Sequence, residues 1–306
     1  MLLALALAGC TENSLVVFEG VDVYYQTPPA EVDILLVVDD SCSMSPYQEA
    51  LSVHFDSFVR FLDASEAQWH IGVTSTDVME NRGELDDFIR WDEEDAADRF
   101  VAAVNVGTEG SGYEMGLEAA KLTLEVDATG FIRPEASFTA IFVSDEEDGS
   151  PLAVVEYLRA FEELKGARSR DIVNTSALVT LDADSCLEDH SERGERYIHA
   201  AETSGGVVGD LCSDDLSPIV REMGLTASRL QERFALSDLP AVATLEVSLD
   251  EELVPCTEGR WAYELADGVA YVVFDRDALP DPGQQVALRY QLGNGDAAGF
   301  CPEGTG

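Results

Sequence analysis

Apolar residues along the chain fall into two kinds of pattern, and the change from one to the other is the first sign of its organisation. "VDILLVV", residues 32–38, is apolar apart from Asp33, as expected of a strand covered on both faces. After it Leu51, Phe55, Phe58, Val59 and Leu62 recur at helical spacing, the stripe of an amphipathic helix. The alternation then repeats. "WHIGVTST", "SFTAIFVSD", "DIVNTSALVTL" and "VVGDLC" predict strands. "DAADRFVAAV", "GYEMGLEAAKLTL", "PLAVVEYLRAFEELK", "GERYIHAAETSGG" and "LSPIVREMGLTASRLQERF" predict helices. Strands alternating with helices over residues 32–235 predict an α/β domain with a mainly parallel central sheet. Beyond it "ATLEVSL", "GRWAYEL", "GVAYVVF" and "QQVALRYQL" are short alternating runs, which predict a small C-terminal antiparallel β-domain over residues 236–306. Residues 11–31 hold a loosely alternating stretch, "SLVVFEGVDVYYQ", and a "TPP" linker. If that leading strand pairs with the C-terminal runs, the α/β domain is an insertion in a β-sandwich.

The chain has 306 residues, 46% of them hydrophobic, enough for one substantial core and a second small one. Acidic residues number 60 against 18 basic ones, for a net charge of −42, and Lys121 and Lys165 are the only lysines. Such a surface repels nucleic-acid phosphates and anionic lipid headgroups, so no nucleic-acid partner is expected. It suits divalent cations, basic partners or a salty medium.

Residues 1–10, "MLLALALAGC", form a short apolar run that closes in small residues and a cysteine. The run is far shorter than the roughly 20 residues that span a bilayer. It resembles the lipobox segment of bacterial lipoproteins, in which the cysteine is lipidated and becomes the mature N-terminus. The resemblance implies a signal segment over residues 1–10 and lipidation of Cys10 as the one membrane contact. It also implies a bacterial cell envelope location, at the outer membrane or cell surface. Cys186 and Cys212 flank an acidic loop and a helix, and Cys256 and Cys301 bracket the C-terminal segment. Disulfides Cys186–Cys212 and Cys256–Cys301 fit an oxidising compartment and leave Cys42 unpaired. No two cysteines stand at CxxC spacing, which argues against a zinc site.

Polar clusters fall at the C-terminal ends of the expected strands or in loops beside them, where open parallel sheets bind ligands. They are Asp39, Ser41 and Ser43 after the first strand, "GTEGSGYE" at residues 107–114, and Asp145 closing "IFVSD". Alternate residues of an extended loop point the same way. Carboxylate and hydroxyl oxygens are hard ligands that suit magnesium, manganese or calcium. With few full charges around it, an ion stays electrophilic and can take a carboxylate from a partner.

This arrangement resembles the metal-ion-dependent adhesion site of von Willebrand factor type A domains, of the bacterial secreted or lipoprotein type. The family pattern is D-x-S-x-S after the first strand, a Thr or Ser in a distant glycine-rich loop, and an Asp ending a later strand. Here these are "DDSCS", "GTEGSGYEMG" and "VSD". The resemblance implies a Rossmann-like fold and a divalent cation held by Asp39, Ser41, Ser43, Ser111 and Asp145. Magnesium is expected, with manganese and calcium as the alternatives. It also implies adhesion or protein-ligand binding, with a protein or other carboxylate-bearing ligand completing the shell. The alternative is an envelope scaffold whose ion only stabilises loops. Thr108 is the fallback for Ser111. Thr108, Asp40, Glu114 and Asp148 are candidates for the surrounding shell. The usual glycine between the serines is Cys42 here, expected to pack as a small apolar side chain.

Catalysis is not expected. "ILLVVDDS" followed by "TDVME" imitates a phosphoacceptor site at Asp77, but the late strand ends in "VSDEEDG" where a lysine is needed to pair with the phosphoryl charge. Asp39 and Asp40 are adjacent, whereas an aspartyl phosphatase needs them one residue apart. GxSxG, HExxH and P-loop motifs are absent from the sequence. His54, His70, His190 and His199 share no ligand spacing. The lipid assignment has a direct check. Wild-type protein should partition into detergent with lipid on Cys10, and Cys10→Ala should release a water-soluble form. A water-soluble wild type that retains Met1 would refute it.

Overall fold

The computed structural model describes the chain except residues 1–17, 27–30, 65–66, 86, 127–129, 166–171, 187–190, 229, 258, 267, 276–277, 282 and 296–306. Cys10, His190 and Cys301 therefore lie outside the described residues, and with them the lipidation site and the second expected disulfide as a pair. In chain order the main elements are β1 (Glu19–Tyr25), β2 (Glu31–Val38), α1 (Ser45–Ala64), β3 (Gln68–Ser75), β4 (Ile89–Arg90), α2 (Ala96–Val104) and α3 (Gly116–Glu125). There follow β5 (Ser137–Ser144), α4 (Val154–Lys165), β6 (Val173–Val179), α5 (Glu195–Ser204), β7 (Val208–Asp210) and α6 (Ser217–Ser228). The last are β8 (Arg233–Ala235), β9 (Glu246–Leu249), β10 (Glu252–Val254), β11 (Trp261–Ala266), β12 (Val269–Phe274) and β13 (Gln285–Gln291). Among the described residues no helix is long and apolar enough to cross a membrane.

The chain divides into two compact units, one of residues 27–230 and one of residues 1–26 with 231–306. In the first, the strands form a sheet of order β4-β3-β2-β5-β6-β7, parallel except for the antiparallel edge strand β4. Numbered within the unit, this is the doubly wound order 3-2-1-4-5-6. The order reverses at β2, whose neighbours β3 and β5 leave it in opposite directions. Side chains of β2 alternate between the faces. Val32, Ile34, Leu36 and Val38 pack with Phe58 and Leu62 of α1, Phe100 of α2 and Val220 and Met223 of α6. Leu35 and Val37 pack with Leu117 and Ala120 of α3, Tyr157 and Phe161 of α4 and Tyr197 of α5. Both faces are covered, which is why the strand is apolar at nearly every position. Each buried Val, Leu, Ile or Phe contributes about 1.5–3 kcal/mol.

The exception in β2 is Asp33, which is fully buried. It accepts Arg133 Nε at 2.8 Å, Arg133 N–H at 2.8 Å and Lys165 Nζ at 3.0 Å. Lys165 closes α4, and its ammonium also donates to the Arg133 carbonyl. Burial pushes the Lys165 ammonium below its ordinary range, against the pull of Asp33. The cluster joins β2, α4 and the segment entering β5 at the N-terminal end of the sheet. At the other end, a disulfide between Cys186 and Cys212 links the segments after β6 and β7. Closing a loop of 26 residues is worth about 3 kcal/mol in the chain-entropy account.

The second unit holds an antiparallel sheet of order β1-β13-β9-β10 and another of order β11-β12-β8. β1 pairs along its whole length with β13, from Glu19↔Gln291 to Tyr25↔Gln285. The α/β unit is thus inserted between two strands of this β-unit. Phe234, Trp261, Tyr263 and Val272 from one sheet share a core with Val286, Leu288 and Tyr290 from the other. Gln26 and Gln231 clamp the points of departure and return: Gln26 Nε2 donates to the Gln231 carbonyl at 3.0 Å and Gln231 N–H donates to Gln26 Oε1 at 3.1 Å. Cys256 is disulfide-bonded in this unit. The helix expected over "LSPIVREMGLTASRLQERF" stops at Ser228, and Arg233–Ala235 become strand β8 instead. Phe234 is the reason, since it is fully buried in the β-unit core and its strand pairs with β12.

Breaking a buried ion pair from one side costs about 3–5 kcal/mol, because the other charge is left uncompensated. Asp33→Ala strands Lys165 in this way and should lose about that much stability in urea unfolding. A loss under about 1 kcal/mol would mean that Lys165 reaches water without it.

Candidate metal centre

The register of the sheet brings the ends of β2, β3 and β5 level, with Val38 opposite both Ser75 and Val143. Asp39 N–H donates to the Val143 carbonyl at 2.9 Å, so Asp39 stays in line with the sheet one residue past the strand. Its Oδ1 then accepts Ser41 N–H at 2.8 Å, which turns the chain into the short helical turn Cys42–Met44 and on into α1. Its Oδ2 accepts the Ser144 hydroxyl at 2.6 Å. The hydroxyls of Ser41 and Ser43 lie 2.9 Å apart, and Ser43 Oγ donates to Asp145 Oδ1 at 3.0 Å. Asp145 Oδ2 accepts the Ser191 hydroxyl at 3.2 Å. Four of the five expected ligands, Asp39, Ser41, Ser43 and Asp145, thus form one hydrogen-bonded cluster around two fully buried carboxylates.

The glycine loop closes over this cluster. Gly110 N–H donates to the Asp40 carbonyl at 2.8 Å, and a Cβ on Gly110 would collide with the Asp40 carboxylate. Gln48 of α1 reaches across with Nε2 to the carbonyls of Asp39 at 3.4 Å and Gly107 at 3.3 Å. The fifth, Ser111, makes local bonds: its N–H donates to Asp77 Oδ2 at 3.1 Å and its Oγ accepts Tyr113 N–H at 3.2 Å. Thr108 lies in the same loop, partly exposed. Glu114 is buried, accepting the Thr76 hydroxyl on Oε2. Asp148 is buried too. It accepts Leu117 N–H at 3.2 Å and the Ser150 hydroxyl at 2.7 Å, and it pairs with Arg196 at 2.8 Å, fastening the start of α3 to α5. Cys42 corrects its expected packing: it is a free thiol and exposed, because the turn that aims Ser41 and Ser43 inward points the intervening residue outward.

The charges are unusually crowded. Burial, with Asp145 adding to it, raises Asp39 above the usual carboxylate range. Burial also raises Asp40, with contributions from Asp77 and Asp39. Burial and then Asp39 push Glu114 up to about 9. Burial, Asp39, Asp145 and Glu192 push Glu146 up to about 7. Sequence reasoning missed Ser144, Ser191 and Thr76, whose hydroxyls are ordinary in any local pattern. Asp77, the imitation phosphoacceptor, instead accepts the N–H groups of Met79 at 2.9 Å and Glu80 at 3.1 Å.

The donor set fits a hard divalent cation. It consists of carboxylate and hydroxyl oxygens only, and Asp40 Oδ1 and Glu114 Oε1 beside it are sealed acceptors with no hydrogen-bond partner. Among the described residues no group of three or more His, Cys, Asp or Glu side chains is placed to hold a metal. An ion here would therefore rest on two carboxylates and their hydroxyl neighbours.

No family model matches the sequence, and no curated protein matches it. Solved structures match in fold. Pilus adhesin SpaC from Lactobacillus rhamnosus GG, in its open conformation, gives a TM-score of 0.50 at 13% identity, covering 90% of this chain and 40% of the adhesin. A von Willebrand factor type A protein from Catenulispora acidiphila gives 0.41 at 12% identity, covering 94% of this chain and 68% of that one. Proximal thread matrix protein 1 from the mussel byssus, with a zinc-occupied MIDAS motif, gives 0.44 at 12% identity, covering 70% of this chain and 51% of that one. The chain spans about 40% of the adhesin's length. At 13% identity the likeness to the adhesin speaks for the fold alone. The doubly wound sheet with one antiparallel edge strand, the Asp-x-Ser-x-Ser turn at its switch point and the match to the adhesin agree: the unit of residues 27–230 has the von Willebrand factor type A fold.

Proposed function

We propose that the chain is an envelope-anchored adhesion or protein-ligand-binding protein that works through a divalent cation, magnesium first, held by Asp39, Ser41, Ser43 and Asp145. The observation that carries this reading is the hydroxyl relay from Ser41 through Ser43 to Asp145, between two fully buried aspartates. Two carboxylates balance the charge of a divalent ion, and the neutral hydroxyls leave it electrophilic, so a carboxylate from a partner protein or other ligand can complete the shell. Ser41 bonds to Ser43, and Ser43 to Asp145, an arrangement for holding a ligand. That an adhesin shares the fold makes adhesion the first partner class to test. The lipid on Cys10 supplies the anchor in this reading. Ser144 already ties Asp39 to the neighbouring strand, which favours a second reading in which the ion only staples loops. Binding of an immobilised glutamate-bearing peptide separates the two. Adhesion requires binding that chelator abolishes, whereas a staple leaves the peptide unbound in both conditions.

Magnesium at a hundredfold excess over its dissociation constant should stabilise the fold by about 2.7 kcal/mol. For a domain of this size the melting temperature should rise by roughly 5–10 °C. Asp145→Ala should abolish the rise, and Asp40→Ala, one residue off the ligand register, should keep most of it. Manganese and calcium are to be tried alongside. A flat melting temperature with all three ions, in folded protein, would remove the cation site.

The carboxyl groups set a pH dependence in chelator. Glu146 and Glu114 titrate at about 7 and about 9 in the fold, against an ordinary 4.5. Folded protein therefore binds more protons than unfolded protein in that interval, and stability falls as pH rises through it. Melting measured in chelator from about pH 5 to 9 should decline, and magnesium should flatten the decline. A chelated protein that gains stability over that range would show that the carboxyls are solvated.

A further inference from the structure

Ser111, the expected loop ligand, has its N–H on Asp77 and its Oγ on Tyr113 N–H. Glu114, in the same loop, is only 2% exposed. Its position is pinned from both sides. Met115 N–H donates to the Thr76 carbonyl at 3.2 Å, and Gly149 N–H donates to the Glu114 carbonyl at 2.6 Å. Thr76 N–H in turn donates to the Val38 carbonyl at 3.2 Å, next to Asp39. Glu114 thus sits in the crevice between the ends of β2 and β3 and the loop after β5. Thr76 occupies Oε2, while Oε1 is sealed from solvent with no hydrogen-bond partner. A sealed acceptor is costly unless something donates to it. Among the described residues Glu114 is not part of a group of three carboxylates placed to hold a metal.

We propose that Glu114 is the glycine-loop residue that positions the cation, its Oε1 accepting a hydrogen bond from a water on the ion, in place of the hydroxyl ligand expected from Ser111. The inference rests on the cation site proposed above. A water between a buried carboxylate and a divalent ion satisfies the orphaned acceptor and orients the ion's shell, as outer-shell partners do in other metal sites. It also adds negative charge near the ion without taking a coordination position, so the place for a partner's carboxylate stays open.

Calorimetric titration of the full chain with magnesium chloride tests this, with melting in chelator as a second measurement. Glu114→Gln keeps an oxygen for Thr76 but presents an N–H where the water needs an acceptor. It should weaken magnesium binding by about 10–100-fold, while Ser111→Ala stays within about twofold of wild type. Glu114→Asp, which keeps the charge, should fall between them and serves if Glu114→Gln does not fold. Melting in chelator at about pH 6, where the Glu114 carboxyl is uncharged, should be the same for Glu114→Gln and wild type, a result that a purely structural role would not give. If both Glu114 variants bind magnesium as wild type does while Asp145→Ala does not, the inference about Glu114 is overturned and the cation site stands. If the wild-type chain takes up no magnesium, both fall.

Discussion

Two carboxylates buried at the ends of adjacent parallel strands are the constraint around which the α/β unit is arranged. Asp39 and Asp145 have no exposed surface, and burial of a carboxylate is costly unless its lone pairs and its charge are both met. The lone pairs are met by the Ser41 amide and by the hydroxyls of Ser144, Ser43 and Ser191, drawn from three separate stretches of chain. Hydroxyls do not neutralise charge. The raised Asp39, Glu114 and Glu146 carboxyls are the electrostatic record of that gap. In the proposed reading a divalent cation would close it, beside loops held by Gly110 on the Asp40 carbonyl and Gln48 on the Asp39 and Gly107 carbonyls.

The same sheet solves the same problem differently at its other end. Asp33, on the strand that leads to Asp39, is as deeply buried, but Arg133 and Lys165 surround it. In a chain with two lysines, one is buried at the end away from the metal loops, and the other, Lys121, pairs with Glu118 and Glu125 along α3. Internal cations therefore settle one end of β2 permanently. At the other end hydroxyls meet the lone pairs and leave the charge unmet, which is the gap the proposed cation would fill. A net charge of −42 draws such ions toward the protein, though it gives them no address. In the proposed reading the address would come from strand register and from the turn that puts Ser41 and Ser43 on one side and Cys42 on the other.

The β-unit shows how an insertion is tolerated. β1 and β8 lie on either side of some two hundred intervening residues, yet Gln26 and Gln231 are hydrogen-bonded to each other, so the inserted unit begins and ends at one place. Close termini let a domain fold as a unit without disturbing its host.

Much of this was legible in the chain itself. Continuous apolar runs revealed strands covered on both faces, helical stripes revealed their covers, and Asp-x-Ser-x-Ser after the first run marked the turn into α1 at the candidate site, because each of these is a local consequence of which way side chains point. Other features were decided by pairings between distant segments. No local pattern shows that Glu19–Tyr25 lies against Gln285–Gln291, that Phe234 ends a helix by belonging to another core, or that Lys165 answers Asp33. Nor does spacing reveal that the Ser111 amide meets Asp77 and its hydroxyl the Tyr113 amide while Glu114 keeps a sealed oxygen with no hydrogen-bond partner. Periodicity determines which residues are buried and in what kind of element. Only the register of the assembled strands decides which buried polar groups meet, since their partners come from parts of the chain that are neighbours only once it has folded.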